Sequence, residues 1–477
     1  MYKTEINYSF GLFIAGEWLE KDKKDLVINK YTQDAFAETA TTDEQDVQRA
    51  VKSAKEAYSH SFSLYERYEV LFKVAQLLRD NQEEFAKAIA KEVGKPITEA
   101  RGEVERSALT LENSAEEAKR IHGEEIPVQA APGSENRRAF TRRYPVGIVA
   151  AITPFNVPLN LVCHKVGPAL AAGNSVILKP AEQTPVSSLL LTRLFEEAGL
   201  PKGRLNVLTG KGEDVGPLLT SNQEINMFTF TGSPRVGLLI REQAGLRNVS
   251  LELGNNSATI VHNDADIAQS AKLVAQKSFN NAGQVCISVQ RVYVHEEVYE
   301  DFLSKVCEAT EQIKLGDPLN EDTQMGPMIS EEEAVRVEQW VNEAVDAGAK
   351  VVAGGAREGV FYQPTILTNV NDDMKVCRQE VFGPVVAIDT YSKEDEVISR
   401  VNDSDYGLQA GLFTNNLSFV MKAMDEIHVG GLMVNDTSGY RVDHMPYGGV
   451  KKSGTGKEGP RYAIEEMTEE KIIVLNN

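Results

Sequence analysis

Apolar positions that recur every three or four residues predict helices over Asp43–Val93 and again over Thr98–Ile121, the latter with an acidic, solvated face. From Arg142 the period changes. Short apolar runs at Val146–Ile152, Ser175–Leu178, Arg204–Leu208, Asn226–Phe230 and Asn248–Leu253 alternate with amphipathic stretches, and Gly or Pro marks nearly every junction. Alternation at this spacing predicts right-handed βαβ units and a mostly parallel sheet covered on both faces. A second series begins near Ala258, with strand candidates at Thr259–Val261, Arg291–Val294, Val351–Ala353 and Gly411–Phe413, and predicts a second α/β domain. Gly123–Arg143 breaks the pattern. It is polar, carries Pro127, Pro132 and Gly133, and ends in alternating residues, which suits either a surface linker or a protruding β arm.

Length supports this division, because 477 residues with 42% hydrophobic content can bury more than one core. A net charge of -20 would repel nucleic-acid phosphates and anionic membrane surfaces. Met1–Trp18, with Lys3 and Glu5, lacks the apolar run of a secretory signal. Gly147–Gly173 is the most apolar stretch, yet Asn156, Asn160, His164, Lys165 and its prolines interrupt it well below spanning length. Four cysteines, at 163, 286, 307 and 377, show neither disulfide nor zinc-type spacing, so a reducing, cytoplasmic setting and no metal site are expected.

The chemistry is concentrated in a few segments. Cys286 stands in FNNAGQVCISVQR among small and amide residues before a strand. An isolated cysteine is commonly an inert core residue, so its neighbours must decide. In VSLELGNN, strand alternation puts Leu251 and Leu253 on one face and Glu252 on the other, next to a turn, where a carboxylate can act as general base. In ITPFNVP, Pro154 and Pro158 restrict the turn that holds Asn156, and a fixed side-chain amide can donate to an oxyanion, a contact worth about 2.7–4 kcal/mol of barrier. Two strand ends look suited to a nucleotide: SVILKPAEQTP with Lys179 and Glu182, and FTFTGSPRVG with Gly232 and Ser233 before a helix. Glu182 can accept from ribose hydroxyls, which favours NAD over a cofactor phosphorylated there. No GxGxxG follows any of these strands. The GxGxxG of Gly454, Gly456 and Gly459 lacks a preceding apolar strand and is followed by Pro460, so it reads as a loop.

Together these segments resemble the aldehyde dehydrogenase superfamily, from about Phe13 to Leu475, with PFNVP, KPAEQTP, FTGS, LELGN, GQVC, EVFGP and GGVKKSG in the family's order and spacing. The resemblance implies a Rossmann-like cofactor domain over 1–122 and 144–253, an α/β catalytic domain over 254–460, and a β oligomerisation arm from 123–143 and 461–477. It implies Cys286 as nucleophile, Glu252 as base, and Asn156 with the Cys286 N–H as oxyanion site, with Lys165 and Glu458 as a proton-relay pair. Thr153, Pro154, Phe155, Lys179, Glu182, Gly232, Ser233, Glu380 and Phe382 match cofactor contacts, for NAD with NADP possible. Phe155 stands where Trp is frequent, and Asn255 where a second Gly is usual; neither change removes a reacting group.

By the same resemblance Arg106 and the SGYRVDHMPYGG loop, with Arg441 and His444, flank the substrate tunnel and resemble the branch handling lactaldehyde, phosphonoacetaldehyde and sulfolactaldehyde. Glyceraldehyde-3-phosphate and succinate semialdehyde stay open as substrates. Two guanidinium groups there would suit an anionic tail; the alternative is ordinary ion pairing, Arg106 with neighbouring glutamates and Arg441 with Asp443. A cysteine hydrolase would need only Cys286, Glu252 and Asn156, but Lys179, Glu182 and Glu380 favour a cofactor. A homodimer or homotetramer is expected from the arm.

Overall fold

The computed structural model describes residues 6–476, so the Met1–Glu5 part of the amino-terminal stretch lies outside the described residues. The helical span 43–93 resolves into three helices, Glu44–Tyr58, Leu64–Asp80 and Gln82–Val93, followed by Ile97–Ala118. Reciprocal capping boxes start the first two: Asp43 with Asp46, and Ser63 with Glu66. Gly94, at φ 88°, closes the third. No described helix is long and apolar enough to cross a membrane.

The expected strands assemble into an eight-stranded sheet in the order 454–455, 248–252, 227–231, 148–152, 175–179, 205–207, 12–14, 17–19. Its five central strands are parallel. Strand alternation serves both faces: Ile148 and Ala150 pack with Val47, Val51 and Val215, whereas Val149 and Ala151 pack with the helices that include Val104, Leu111 and Val166. Chain order reverses between strands 148–152 and 227–231. At such a reversal the following loops diverge and leave a crevice at the carboxyl ends of the strands, where Thr153 and Gly232 lie.

A second sheet runs 350–353, 365–368, 385–391, 291–295, 258–261, 409–413, 431–434 and is parallel except for its first strand. Gly123–Arg143 contributes strands Glu125–Ile126 and Arg137–Pro145, and the latter pairs antiparallel with Thr468–Asn476 across its whole length. This three-stranded unit leaves Phe140, Ile472, Val474 and Leu475 exposed. The span 461–477 is not all arm, because Pro460–Glu466 is a helix packed on helices 97–118 and 160–172.

Two features depart from the sequence reading. Five short strands between Tyr8 and Ala40 precede the first helix, too brief to show a period. The glycines of the rejected GxGxxG do not form a simple loop: Gly454–Thr455 pairs with strand 248–252, and Gly459 begins the helix at Pro460. Gly454, at φ 142°, lies so close to strand 248–252 that a Cβ would fall on the Leu251 carbonyl. The motif is used for backbone approach.

The tightest turn follows helix Ile267–Phe279, where Asn281, Ala282 and Gly283 are all left-handed, at φ 49°, 54° and 70°. A Cβ on Gly283 would also fall on the Gly383 carbonyl. Gly283→Ala is expected to lower stability by about 1–3 kcal/mol or more, measured as the urea midpoint; an unchanged midpoint would show that the turn relaxes freely.

Candidate active site

Helix Asn160–Ala172 is buried at every residue, so its polar groups must find partners inside the protein. Glu103 meets its amino end, accepting from the N–H groups of Leu159 and Asn160 at 2.9 and 3.3 Å, and pairs in turn with buried Lys95. That anchor fixes the preceding turn with Asn156 and, one turn further on, His164 and Lys165.

Asn156 is tied to the left-handed turn from both ends. Its Nδ2 donates to the Gln284 carbonyl at 2.8 Å, while Asn281 Nδ2 donates to the Asn156 carbonyl at 3.2 Å. Gln284 is braced by Asn281 and by the Ile329 N–H. Cys286 follows two residues later, half-buried, with its Sγ 2.9 Å from Tyr447 Oη. Burial pushes the thiol up to about 12, against the lowering effect of the Tyr447 hydrogen bond.

Glu252 ends strand Asn248–Glu252 and is 3% exposed, and neither carboxylate oxygen has a hydrogen-bond partner among the described residues. Burial and the neighbouring Glu458 carboxylate hold it well above the usual carboxylate range. A Cβ on Gly448 would sit 2.9 Å from its Oε1, so the residue after Tyr447 must be small. Glu458 behaves oppositely. Lys165 Nζ lies 3.2 Å and Arg441 Nη2 2.9 Å from its oxygens, and these cations lower it to about 2 despite burial. Lys165 and Glu458, paired in the sequence reading, are thus in contact here.

Asp443 accepts from Arg106 Nε and Nη2 at 3.0 and 2.8 Å and lies 3.0 Å from His164 Nε2. Arg441 also reaches His164, at 3.1 Å, and its guanidinium lies 3.7 Å from the Tyr447 ring centroid. Both arginines are therefore ion-paired, Arg106 with Asp443 instead of a neighbouring glutamate and Arg441 with Glu458 instead of Asp443. Both also line a cavity of about 330 Å³ beside Val285 and Ile287, with Lys95, Glu99 and Lys277. His444 is not brought there. Asp443 turns inward to its partners, and the next residue points out to a separate depression with Asn113, Glu117 and Tyr462.

On the sheet side, Lys179 pairs with Glu182 at 3.0 Å, and burial of Lys179 leaves Glu182 as the half-exposed member. Thr153 Oγ1 is buried without a hydrogen-bond partner among the described residues next to this strand end, and the Thr153 N–H donates to the Lys179 carbonyl. Ser233 caps helix Pro234–Ala244. Glu380 accepts the Asn255 N–H at 2.9 Å, and burial raises it to about 7. Phe155 and Phe382 meet edge to face at 5.8 Å, with Phe382 at φ 47°. Orphaned Thr153, the strand-end charges and a capped helix start suit a dinucleotide at the sheet reversal.

The profile of the Aldehyde dehydrogenase family matches residues 18–473. The chain belongs to this family. It is similar to the 3-sulfolactaldehyde dehydrogenase of Priestia aryabhattai, 69% identical over 98% of both chains. The lactaldehyde dehydrogenase of Methanococcus maripaludis is 41% identical over 98% of this chain and 100% of its own. Aldehyde dehydrogenase 21 of Physcomitrella patens, solved with the reaction product succinate, superposes with TM-score 0.96 at 38% identity, covering 98% of each chain. Among solved relatives, one carries NADP and another is described as NAD-dependent. The protein is an NAD(P)-dependent aldehyde dehydrogenase that oxidises an aldehyde to a carboxylic acid.

Within this aldehyde dehydrogenase, sequence reasoning missed Tyr447, Lys277 and the pairing of Asp443 with Arg106. Tyr447 sits in the quoted GGV-preceding loop, but only contact across 161 residues shows that it faces Cys286. The buried cluster gives a stability test. Glu458→Ala leaves Lys165 and Arg441 buried without their shared counter-ion and is expected to cost about 3–5 kcal/mol, seen as a lower melting temperature; wild-type melting would mean that water or rearrangement replaces the carboxylate.

Proposed function

We propose that this aldehyde dehydrogenase acts on a short aldehyde with an anionic tail, through a thiohemiacetal and a thioester on Cys286. The Cys286 sulfur attacks the carbonyl carbon as a thiolate, because a buried thiol is a poor nucleophile. Asn156 has one side-chain N–H left after bonding Gln284, and with the Cys286 N–H it stabilises the resulting oxyanion. Bound NAD(P) supplies the hydride acceptor. Glu252 then takes a proton from the water that attacks the thioester carbonyl; the C–S bond breaks, the acid leaves and the thiol is restored. Lys165 and Glu458 form the relay behind Glu252. A base without hydrogen-bond partners and with a raised pKa is suited to this step.

The cofactor lies at the sheet reversal, among Thr153, Pro154, Phe155, Lys179, Glu182, Gly232 and Ser233, with Glu380 and Phe382 at the nicotinamide end. The Glu182 carboxylate would repel a ribose 2′-phosphate, which favours NAD. The enzyme works in the cytoplasm as a homodimer or homotetramer joined through the arm, whose exposed Phe140, Ile472 and Val474 need a cover. Residues 1–122 with 144–253 serve the cofactor, 254–460 carry the catalytic unit, and 123–143 with the strand from Thr468 join the subunits.

The cavity charge carries the substrate reading. Lys277 is the one lining cation with no carboxylate at ion-pair distance among the described residues, and Arg106 Nη1 is unused by Asp443. Arg441, 8% exposed and bound to Glu458, supports the cavity wall. Likeness to an enzyme named for sulfolactaldehyde supports the same class.

A panel of sulfolactaldehyde, succinate semialdehyde, lactaldehyde and propanal, assayed with both cofactors, tests it. Anionic aldehydes are expected to be preferred, and Arg106→Ala and Lys277→Ala to lower their kcat/KM by about ten- to a hundred-fold with little effect on propanal. Equal efficiency for propanal, unaltered in both variants, would overturn the substrate class. Turnover surviving in Cys286→Ala would overturn the mechanism. Because Glu252 is raised, turnover should climb with pH along a limb above the ordinary carboxylate range, and Glu252→Gln should abolish that limb and slow turnover by about 10²–10⁴.

A further inference from the structure

Tyr447 is 3% exposed, and the only hydrogen-bond partner of its hydroxyl among the described residues is Cys286 Sγ at 2.9 Å. A buried phenol requires a partner, and here the partner is the reacting atom itself. We infer that Tyr447 is a catalytic residue, donating its O–H to the Cys286 thiolate and stabilising it before attack. The inference rests on Cys286 being the nucleophile, as proposed above.

Three contacts hold the phenol in this place. Its N–H donates to the Glu458 carbonyl at 3.1 Å, and the Glu458 N–H donates to the Tyr447 carbonyl at 2.6 Å, so the backbone is clamped as an isolated antiparallel bridge. The Arg441 guanidinium covers the ring at 3.7 Å. Arg441 in turn is held by Glu458, whose second cation is Lys165. Packed residues Ile287 and Leu408 complete the surroundings. The hydroxyl therefore has little freedom to leave the sulfur.

Direction of donation follows from the charges around the pair. Burial above all disfavours an anionic phenolate, and Cys286 and Glu252 do the same, so the proton stays on Tyr447 well above its ordinary range. The sulfur is then the acceptor. A thiol is a weak acceptor and a thiolate a strong one, so the contact strengthens when Cys286 ionises. The thiol proton leaves to solvent, and Tyr447 keeps its own. Arg441 adds to the effect by placing a positive charge on the ring face, which favours negative charge at the hydroxyl and makes the O–H a better donor. Burial, with the Glu380 and Glu252 carboxylates, raises the thiol, and Tyr447 is the side chain that hydrogen-bonds against that trend.

Tyr447→Phe removes the hydroxyl and keeps the ring under Arg441. The probe is iodoacetamide alkylation of Cys286, followed against pH by mass spectrometry, alongside thiolate absorbance and turnover, in the full-length enzyme with and without NAD. The alkylation midpoint is expected to rise by about one pH unit, with roughly ten-fold slower labelling below it and a matching loss in kcat/KM. Melting temperature and circular dichroism report that the variant folds. A folded Tyr447→Phe enzyme with a wild-type or lower midpoint would overturn the role of Tyr447. Turnover retained by Cys286→Ala would instead overturn the nucleophile, so the two failures are separable.

Discussion

Two buried carboxylates act on each other, and among the described residues only one of them has cations at ion-pair distance. Glu458 is claimed by Lys165 and Arg441, while among the described residues Glu252 has neither an ion-paired cation nor a hydrogen bond on its oxygens. In low dielectric, charge is tolerated only where it is paired. Ionisation is therefore drawn to Glu458 and denied to Glu252, which is left as a proton acceptor of raised affinity. The same asymmetry governs Tyr447 and Cys286, since Glu252 faces both and Arg441 reaches the tyrosine from the Glu458 side.

Such an arrangement needs two chain segments far apart in sequence to be held at backbone contact. Glycine makes that possible. Gly454 lets its strand lie on Leu251, Gly448 lets the loop pass beside Glu252, and Gly283 lets the thiol turn lie on the Gly383 carbonyl. Asn156 and Gln284 then lock the turn to the amino end of helix 160–172, which Glu103 caps with its carboxylate. Among the described residues, Glu252 and Thr153 are two of the buried polar side chains without a hydrogen-bond partner, and both lie where a proton or a ligand would be handled.

Much of the scaffold could be read from residue pattern because its strands are central and parallel. Such strands are apolar on both faces, as at Val146–Ile152 and Asn226–Phe230, and helices between them carry a clear period. The short strands before Ala40 carry too few residues to show alternation. Capping by Asp43 and Ser63 was encoded locally, yet the breaks that split 43–93 into three helices do not interrupt the apolar period. Cys286, Glu252 and Asn156 stood out because each lies in a short segment of unusual composition. Tyr447 and Lys277 did not, since an aromatic in a glycine turn and a lysine on a helix are common.

Sequence alone determined the strand and helix order, the acidic surface and the residues able to supply a nucleophile, a base and an amide donor. Those are local properties of side-chain type and spacing. Which partner each charge found was decided only by the tertiary structure: Arg106 went to Asp443, Arg441 to Glu458, His444 to the outside and Tyr447 to the sulfur. Burial sets the free energy of an ionised group, and burial is a property of everything packed around it, so charge state and contact are not written in any one segment of the chain.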